Sequence, residues 1–435
     1  MDINKKIISV EKALKLVKDN DIIVTGLGAA EGKAFLTELH TLHGKVKNVT
    51  VTNCLPMGDY QFFTNPEYKD TFYLDGWFYS PAMRKAHVNG NISFIPNHLH
   101  LAAVKRLDHT HTNIYIGAAS MPDEHGYVSL STSNTYEKRM LEDADTVILE
   151  INPNYPRTFG DVQVHVNDVD YFIQTDYAVP ELPDVPCNEK DLIIGKQIAA
   201  LINDGDCIQL GIGGIPNAVA ESLMDKKDLG IHTEMLTTNM AKLAKAGVVT
   251  GKNKQLHKGK MVGAFAMGSK ELYDYINNNP AVEILDGAYV NDPYVIAQND
   301  NQISINTTLE VDLTGQCCSE SLGSKQFSGS GGQVDTAVGA QMSKNGKSII
   351  ALYSTAMVTN KQTGEKEEIS KIVAQLKPGA AVTLSRNDIH YLCTEYGMVN
   401  LRGTNLRERV ELIISVAHPK FRDELRQQAK DLGII

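Results

Sequence analysis

No run of about 18 uninterrupted apolar residues occurs in this chain of 435 residues, so a membrane-spanning helix is not expected. The N-terminal stretch MDINKKIISVEKALKLVKDND lacks the apolar h-region and small-residue cleavage site of a signal peptide. Its charges alternate with apolar residues at helical spacing, and a cytoplasmic protein is expected. No CxxC is present. The six cysteines, Cys54, Cys187, Cys207, Cys317, Cys318 and Cys393, are too dispersed for a disulfide framework and are expected to be reduced and mostly buried. Positive charge is in deficit: the formal net charge of −10 gives no overall basic field for nucleic acid and opposes an anionic membrane surface. Any anionic ligand must therefore be met locally. Low-complexity segments are also missing. What remains, 42% apolar and 22% charged residues, is the composition of a folded globular protein. At about 150 residues per domain the length suggests two or three domains, and two large ones are expected.

A duplication runs through the chain. VKDNDIIVTGLGAA at 17–30 matches INDGDCIQLGIGGI at 202–215 with a constant offset of 185, pairing Asp19, Asp21, Ile23, Gly26 and Gly28 with Asp204, Asp206, Ile208, Gly211 and Gly213. An amphipathic helix precedes each copy (VEKALKLVK, IGKQIAALIN). A helical stretch and a second apolar strand follow it (KNVTVTNC, GIHTEML). The unit is thus helix, strand, glycine turn, helix, strand. This period is too long for a solenoid, whose repeats run about 20 to 50 residues. The expected fold is α/β, two related domains with mainly parallel sheets and ligands at the carboxyl ends of the strands. The expected domains are 1–183 and 190–435, joined through AVPELPDVPCNEKD with its prolines 180, 183 and 186. A cleft between the two is the expected active site. The final helical pattern, LRERVELIISVAHPKFRDELRQQAKDL, is expected to pack on the second domain with Pro419 interrupting it.

Two glycine clusters lie where an anion can meet backbone amides. GIGGIP follows the run CIQL and opens a helix. As a dinucleotide fingerprint it is imperfect, because the third glycine position is Pro216, although Glu234 stands near the distance at which such a fingerprint places its acid. The second cluster, QFSGSGGQVDTAVGAQMS, carries Gly329, Gly331 and Gly332 ahead of a helix and lacks the G-K-[ST] of a Walker loop. Its amides can hold an oxyanion, and a plain surface turn is the alternative. Glu234, in GIHTEMLTT, reads on its own as a helix cap or a ribose ligand before it reads as a nucleophile. A carboxylate withdrawn from water beside oxyanion-stabilising amides can attack a thioester. Glu395 in HYLCTEYG looks the same locally. His98, His100, His109 and His111 crowd one stretch, with H-x-H placing two rings on one strand face; no HExxH or cysteine partner accompanies them, and no metal site is expected. The lysines of GKNKQLHKGK (251–260) default to a solvated loop and can alternatively face phosphates. Arg402, Arg407 and Arg409 are similarly ambiguous.

Taken in order, PEYKDTFYLDGWFYSPAMR, EINPNYPRTFGD, QLGIGGIPNAV, DLGIHTEMLT, KQFSGSGGQVD, SRNDIHYLCTEYG and LRGTNLRERVELIISVAHPKFRDEL resemble the acetyl-CoA hydrolase/transferase family, the class I CoA-transferases. Within it the likeness is to the group with 4-hydroxybutyrate and butyrate:acetate CoA-transferases, over nearly the whole chain. The resemblance implies two CoA-transferase domains. It makes Glu234, in HTEM, the residue that carries the covalent intermediate, with CoA contacts from Gly211, Ile212, Gly213, Gly214 and Ile215. Gly329, Gly331, Gly332 and Gln333 would lie against CoA and the thioester, and Glu395 would be structural or would support the residues that touch the substrate. The activity implied is ping-pong transfer of CoA between short-chain carboxylic acids, with no prosthetic group or metal and with acyl-CoA as substrate. A hydrolase using the same glutamate and a non-catalytic acyl-CoA sensor are the alternatives. GLGAAEG and CLPMGDYQFF, with Leu27, Leu55, Met57, Phe62 and Phe63, are expected to border an apolar acyl pocket that favours acetate, propionate or butyrate. A homodimer or homotetramer is expected.

Overall fold

The computed structural model describes residues 3–183, 185–360 and 363–435. The chain forms two compact units. The first comprises residues 1–183, 233–241 and 260–292; the second comprises 184–232, 242–259 and 293–435. The segment carrying Glu234 therefore groups with the first unit, while the residues flanking it group with the second.

The first unit is built on seven strands in the order Tyr171–Gln174, Thr146–Ile151, Ile114–Ala119, Ile22–Thr25, Val49–Asn53, Phe72–Gly76, Ile92–Phe94. Every neighbouring pair is parallel. All six residues of Ile114–Ala119 are buried, the near-continuous run expected of a strand covered on both faces. Beneath it Phe35, Leu36, Val51, Phe62, Phe63, Phe72 and Ile116 form one apolar cluster. The chain's first strand, Ile22–Thr25, lies between its second and a later one. The strand order reverses there, which is where open parallel sheets bind ligands.

The second unit repeats this arrangement. Cys207–Leu210, 185 residues after Ile22–Thr25, lies between the start of Gly230–Leu236 and Gln302–Thr307, with parallel pairing on both sides. Lys347–Ala351 and Tyr391–Thr394 extend the parallel sheet, and Gly397–Asn400 closes it as an antiparallel edge. The shared aspartates do the same work in both copies. Asp21 accepts the Lys18 amide at 2.7 Å, and Asp206 accepts that of Asn203 at 2.8 Å. Asp19 accepts the Lys47 amide at 2.9 Å, and Asp204 that of Lys227 at 2.8 Å. The first two contacts close the turn entering the first strand, and the last two tie that turn to the one entering the second. The protein is thus two related α/β domains with mainly parallel sheets.

The connector is held rather than loose. Leu182 N–H donates to Gly268 O (2.9 Å), Tyr273 Oη to Pro180 O (2.7 Å) and the Lys270 amide to Glu181 Oε2 (2.8 Å), all within the first unit. Asp184, expected to be part of this connector, lies outside the described residues, as do Met1 and Asp2 of the N-terminal stretch. The C-terminal pattern splits as expected into Leu406–Ser415, the single turn Pro419–Phe421 and Arg422–Asp431. Val410, Ile413 and Leu425 bury these helices against Leu313, Leu392 and Leu401 of the second unit. Among the described residues no helix is long and apolar enough to cross a membrane.

Candidate functional site

In the strand Gly230–Leu236 six of the seven residues are buried, and Glu234 is the exception. A carboxylate at this position is partly open while its strand is fixed in the interior. Asn291 donates Nδ2 to Glu234 Oε2 at 3.3 Å. Asn291 is itself fully buried at the end of the helix Gly287–Val290, and among the described residues its Oδ1 has no hydrogen-bond partner. The neighbouring Cys54 thiol is pushed well above its ordinary value, first by burial and then by the charge of Glu234.

The first-unit glycine turn meets this carboxylate's strand. Gly28, with φ +53°, donates its amide to Cys54 O at 3.2 Å. A Cβ on Gly28 would stand 3.1 Å from Met267 Sδ and 4.0 Å from Met57 Sδ. Met267 in turn donates its amide to Leu236 O at 3.1 Å, two residues beyond Glu234. Leu55 of the same loop is half-exposed and holds a left-handed backbone, φ +56°, a conformation that costs a non-glycine residue of order 1 kcal/mol. Met57 and Met267 thus bring their sulfurs beside the Gly28 turn, with the Leu55 carbonyl 4.0 Å from the same point. Met267 is buried; of the other expected pocket residues, Leu27 is buried too, and Phe62 and Phe63 lie in the core cluster. Phe62 and Phe63 pack edge to face at 5.2 Å in the core, because their helix Gln61–Thr64 covers the strand Phe72–Gly76.

Three buried carboxylates brace this region. Glu137 accepts the amides of Leu27 (2.8 Å) and Tyr136 (2.9 Å), and burial pushes it above the carboxylate range. Glu150 accepts the Ala34 and Phe35 amides, at the start of the helix Lys33–Glu38, and the Tyr177 hydroxyl at 2.6 Å. Glu31 accepts long contacts, 3.4 Å each, from Asn53 Nδ2 and the Met57 amide, and it also faces the Tyr60 hydroxyl; burial outweighs these donors and pushes it up to about 7.

Both second-unit glycine clusters lie at the carboxyl ends of adjacent strands. Gly211 donates its amide to Ile305 O at 3.3 Å. Gly213, with φ +111° and open space where a Cβ would be, precedes the helix Gly214–Glu221. Ile212 is exposed and Ile215 buried. A Cβ on Gly214 would strike Asp191 Oδ2 at 2.4 Å, so this glycine answers to packing against the Asn188–Asp191 capping box. Pro216 falls in the first helical turn, where a missing N–H costs nothing, and this accounts for its place in the motif. In the other cluster Gly329, Gly331 and Gly332 precede the helix Gln333–Met342. Ser330 Oγ donates to Glu320 Oε2 at 2.8 Å, and Gln333 Nε2 to Thr307 O at 2.9 Å. Thr307 ends the strand next to Cys207–Leu210, so the two turns share one sheet edge.

Glu395 accepts the Ser354 amide (2.9 Å) and hydroxyl (2.8 Å) and pairs with Lys190 at 3.0 Å. Burial alone would raise it, but these donors hold it below the ordinary range. His98 and His100 lie in and beside the single turn Leu99–Leu101 rather than on a strand, and their rings stack at 6.3 Å. His111 faces Asp143 and Asp145 instead. Lys254 departs from the solvated-loop expectation: it is buried and donates to Ile231 O at 2.8 Å. Arg409 is buried too and donates to the carbonyls of Thr314 and Leu401, both at 3.0 Å, whereas Arg402 and Arg407 are exposed. Sequence reasoning missed Asn291 and Met267. No motif marks them, because each acquires its place only through folding.

The acetyl-CoA hydrolase/transferase N-terminal domain matches residues 2–183, and the C-terminal domain of the same family matches 268–429. The chain belongs to the acetyl-CoA hydrolase/transferase family. Residues 184–267, with Glu234 and the first of the two second-unit turns, lie between the matched ranges. The chain is 40% identical to a 4-hydroxybutyrate coenzyme A transferase of Clostridium kluyveri, over 98% of this chain and 97% of the other. It is 36% identical to a butyryl-CoA:acetate CoA-transferase of Anaerostipes caccae, over 99% and 97%. The crystal structure of RipA from Yersinia pestis superimposes with a TM-score of 0.91 at 35% identity, covering all of both chains. With full-length relatives of this kind, the protein is a CoA-transferase.

Proposed function

We propose that this family member moves CoA between short-chain carboxylic acids, such as butyryl-CoA and acetate, by a ping-pong mechanism through a glutamyl-CoA thioester on Glu234. The observation that carries the reading is the placement of that carboxylate: the one side chain in its strand not buried, with an amide donor on Oε2. Glu234 attacks the acyl-CoA carbonyl and forms an acyl-glutamyl anhydride, releasing CoA thiolate. The thiolate then adds to the glutamyl carbonyl, giving the enzyme thioester and the free acid. A second carboxylate reverses these steps. A thioester is exchanged for a thioester, so no ATP is consumed. Asn291 Nδ2 already donates to the oxygen on which negative charge builds when thiolate adds to the glutamyl carbonyl. Main-chain amides of the two second-unit turns are assigned to the CoA thioester: Gly211 to Ile215 in one, Gly329 to Gln333 in the other. Leu55, Met57 and Met267 supply the apolar surroundings of a short alkyl chain. We assign the repeated halves to 1–183 and 190–435, and the working form to a cytoplasmic homodimer or homotetramer.

The test is to incubate the protein with butyryl-CoA, reduce with borohydride and map the modified residue by mass spectrometry. The expected product is an alcohol at Glu234. Modification at Glu395 instead overturns the assignment. Added acetate should yield acetyl-CoA rapidly, whereas free CoA released at an acetate-independent rate would mark a hydrolase.

A further inference from the structure

Lys371 lies at the ligand edge of the second unit without a carboxylate of its own. Its backbone is fixed, the amide donating to Ser354 O (2.9 Å) and the carbonyl accepting from Val311 N–H (3.1 Å). Its Nζ stands 5.8 Å over the Tyr353 ring and 3.5 Å from Thr308 O. Thr308 and Tyr353 follow the strands Gln302–Thr307 and Lys347–Ala351, so the amine sits over the carboxyl ends of parallel strands. That is the edge on which Gln333 grips Thr307 O and the Gly211 turn begins.

The charged groups facing this amine are Glu395 and Glu310, and both have other partners. Glu395 is held by Lys190 at 3.0 Å and by Ser354, and Glu310 pairs with Lys377 at 3.6 Å. Among the described residues neither carboxylate lies within ion-pair distance of Lys371. Burial lowers the amine to about 8, with Glu395 and Glu310 opposing the shift. About a tenth of it is then neutral at pH 7, over a hundred times the neutral fraction of an ordinary lysine. A half-buried, largely desolvated amine is how proteins make a nucleophilic lysine.

We propose that Lys371 is a self-acylation site, which takes the acyl group of a short-chain acyl-CoA bound at this sheet edge and keeps it as an N-acyl-lysine. The inference rests on the transferase reading only for the presence of a bound thioester. The neutral Nζ lone pair forms a C–N bond to the acyl carbonyl carbon. The C–S bond breaks, its electron pair leaving on sulfur as CoA thiolate, and one N–H proton passes to water. No oxidant or co-reactant is required. Unlike the glutamyl thioester, the amide is not resolved by a second carboxylate. Modified enzyme should therefore accumulate when acyl-CoA is abundant and acceptor acid is scarce.

The test incubates the full-length protein with butyryl-CoA and no acceptor at pH 7 and pH 8. Butyryl-lysine is then quantified peptide by peptide, and butyryl transfer to labelled acetate is measured on the same sample. The expected result is labelling at Lys371 at least tenfold above that of the exposed Lys366. It should rise severalfold between pH 7 and 8 and be suppressed by excess free CoA at Lys371 but not at Lys366. Transfer with no preferential label, or with label that free CoA fails to suppress, overturns the inference and leaves the transferase reading standing. Label at Lys371 without transfer supports the inference and overturns the transferase reading. Absence of both overturns the two together.

Discussion

Replacing Asn291 by alanine tests the arrangement around Glu234 directly. The substitution removes the donor 3.3 Å from Glu234 Oε2 and also deletes an Oδ1 that is buried without a partner. Losing one preorganised donor to a developing oxyanion costs about 3 to 4 kcal/mol in well-formed sites. A contact at 3.3 Å is past the usual N–H···O optimum, so about 2 to 3 kcal/mol is expected here, or about thirty- to hundred-and-fiftyfold in kcat. Stability should respond differently. Removing the unpartnered oxygen offsets part of the cavity left behind, and Tm should shift by only a few degrees. The assay is butyryl-CoA with acetate, following acetyl-CoA, with the enzyme thioester trapped in parallel. Asn291→Asp sharpens the test: a second carboxylate about 4 Å away adds about 4 kcal/mol of repulsion at an effective dielectric of about 20, so activity at neutral pH should fall further and partly recover on acidification. If Asn291→Ala retains kcat within threefold of the parent, the amide is not stabilising the charge as reasoned.

Other outcomes are expected. Glu234→Ala should abolish both the trapped thioester and transfer while leaving Tm nearly unchanged; undiminished transfer would remove Glu234 from the mechanism. Glu31 holds its proton in the folded state between its ordinary 4.5 and about 7, while the unfolded chain loses it. Its stabilising contribution is full below pH 4.5 and is lost as pH rises through 7, by up to about 3 kcal/mol. Urea titrations of Glu31→Gln should show a flatter pH dependence across that window, and an unchanged slope would contradict the assignment. Gly214→Ala should lower Tm by several degrees, because the new Cβ meets Asp191 Oδ2 at 2.4 Å and the capping box must shift, a cost of about 1 to 3 kcal/mol. A Tm equal to the parent would mean that the helix Gly214–Glu221 can retreat without loss.

The duplication was legible in the sequence because its markers answer to local needs. Asp21 and Asp206 each close a turn on an amide three residues back, while Asp19 and Asp204 reach the amides of Lys47 and Lys227 at the next turn, so the same two needs recur at the same spacing. The alternation of strand and helix then dictated the parallel sheets. Other features depend on residues far apart in the chain. Asn291 reaches Glu234 from 57 positions away, and Met267 faces Gly28 only once both strands are in place. Lys254 looked like a surface lysine among its neighbours, yet it is buried over Gly230 and satisfied by Ile231 O. Phe62 and Phe63 read as pocket residues in the sequence because they share the stretch CLPMGDYQFF with the apolar Leu55 and Met57. A short helix, not a loop, carries them, and it turns both rings into the core. Grouping residues 233–241 with the first unit was likewise invisible to any linear reading.

In the proposed acyl site, Leu55 limits how this protein could change its choice of acid. With its main chain at φ +56°, the position admits glycine, asparagine or aspartate readily and valine or isoleucine hardly at all. Trimming or polarising that corner is therefore an accessible step for natural or laboratory evolution, whereas narrowing it with a branched residue would first require the loop to be rebuilt.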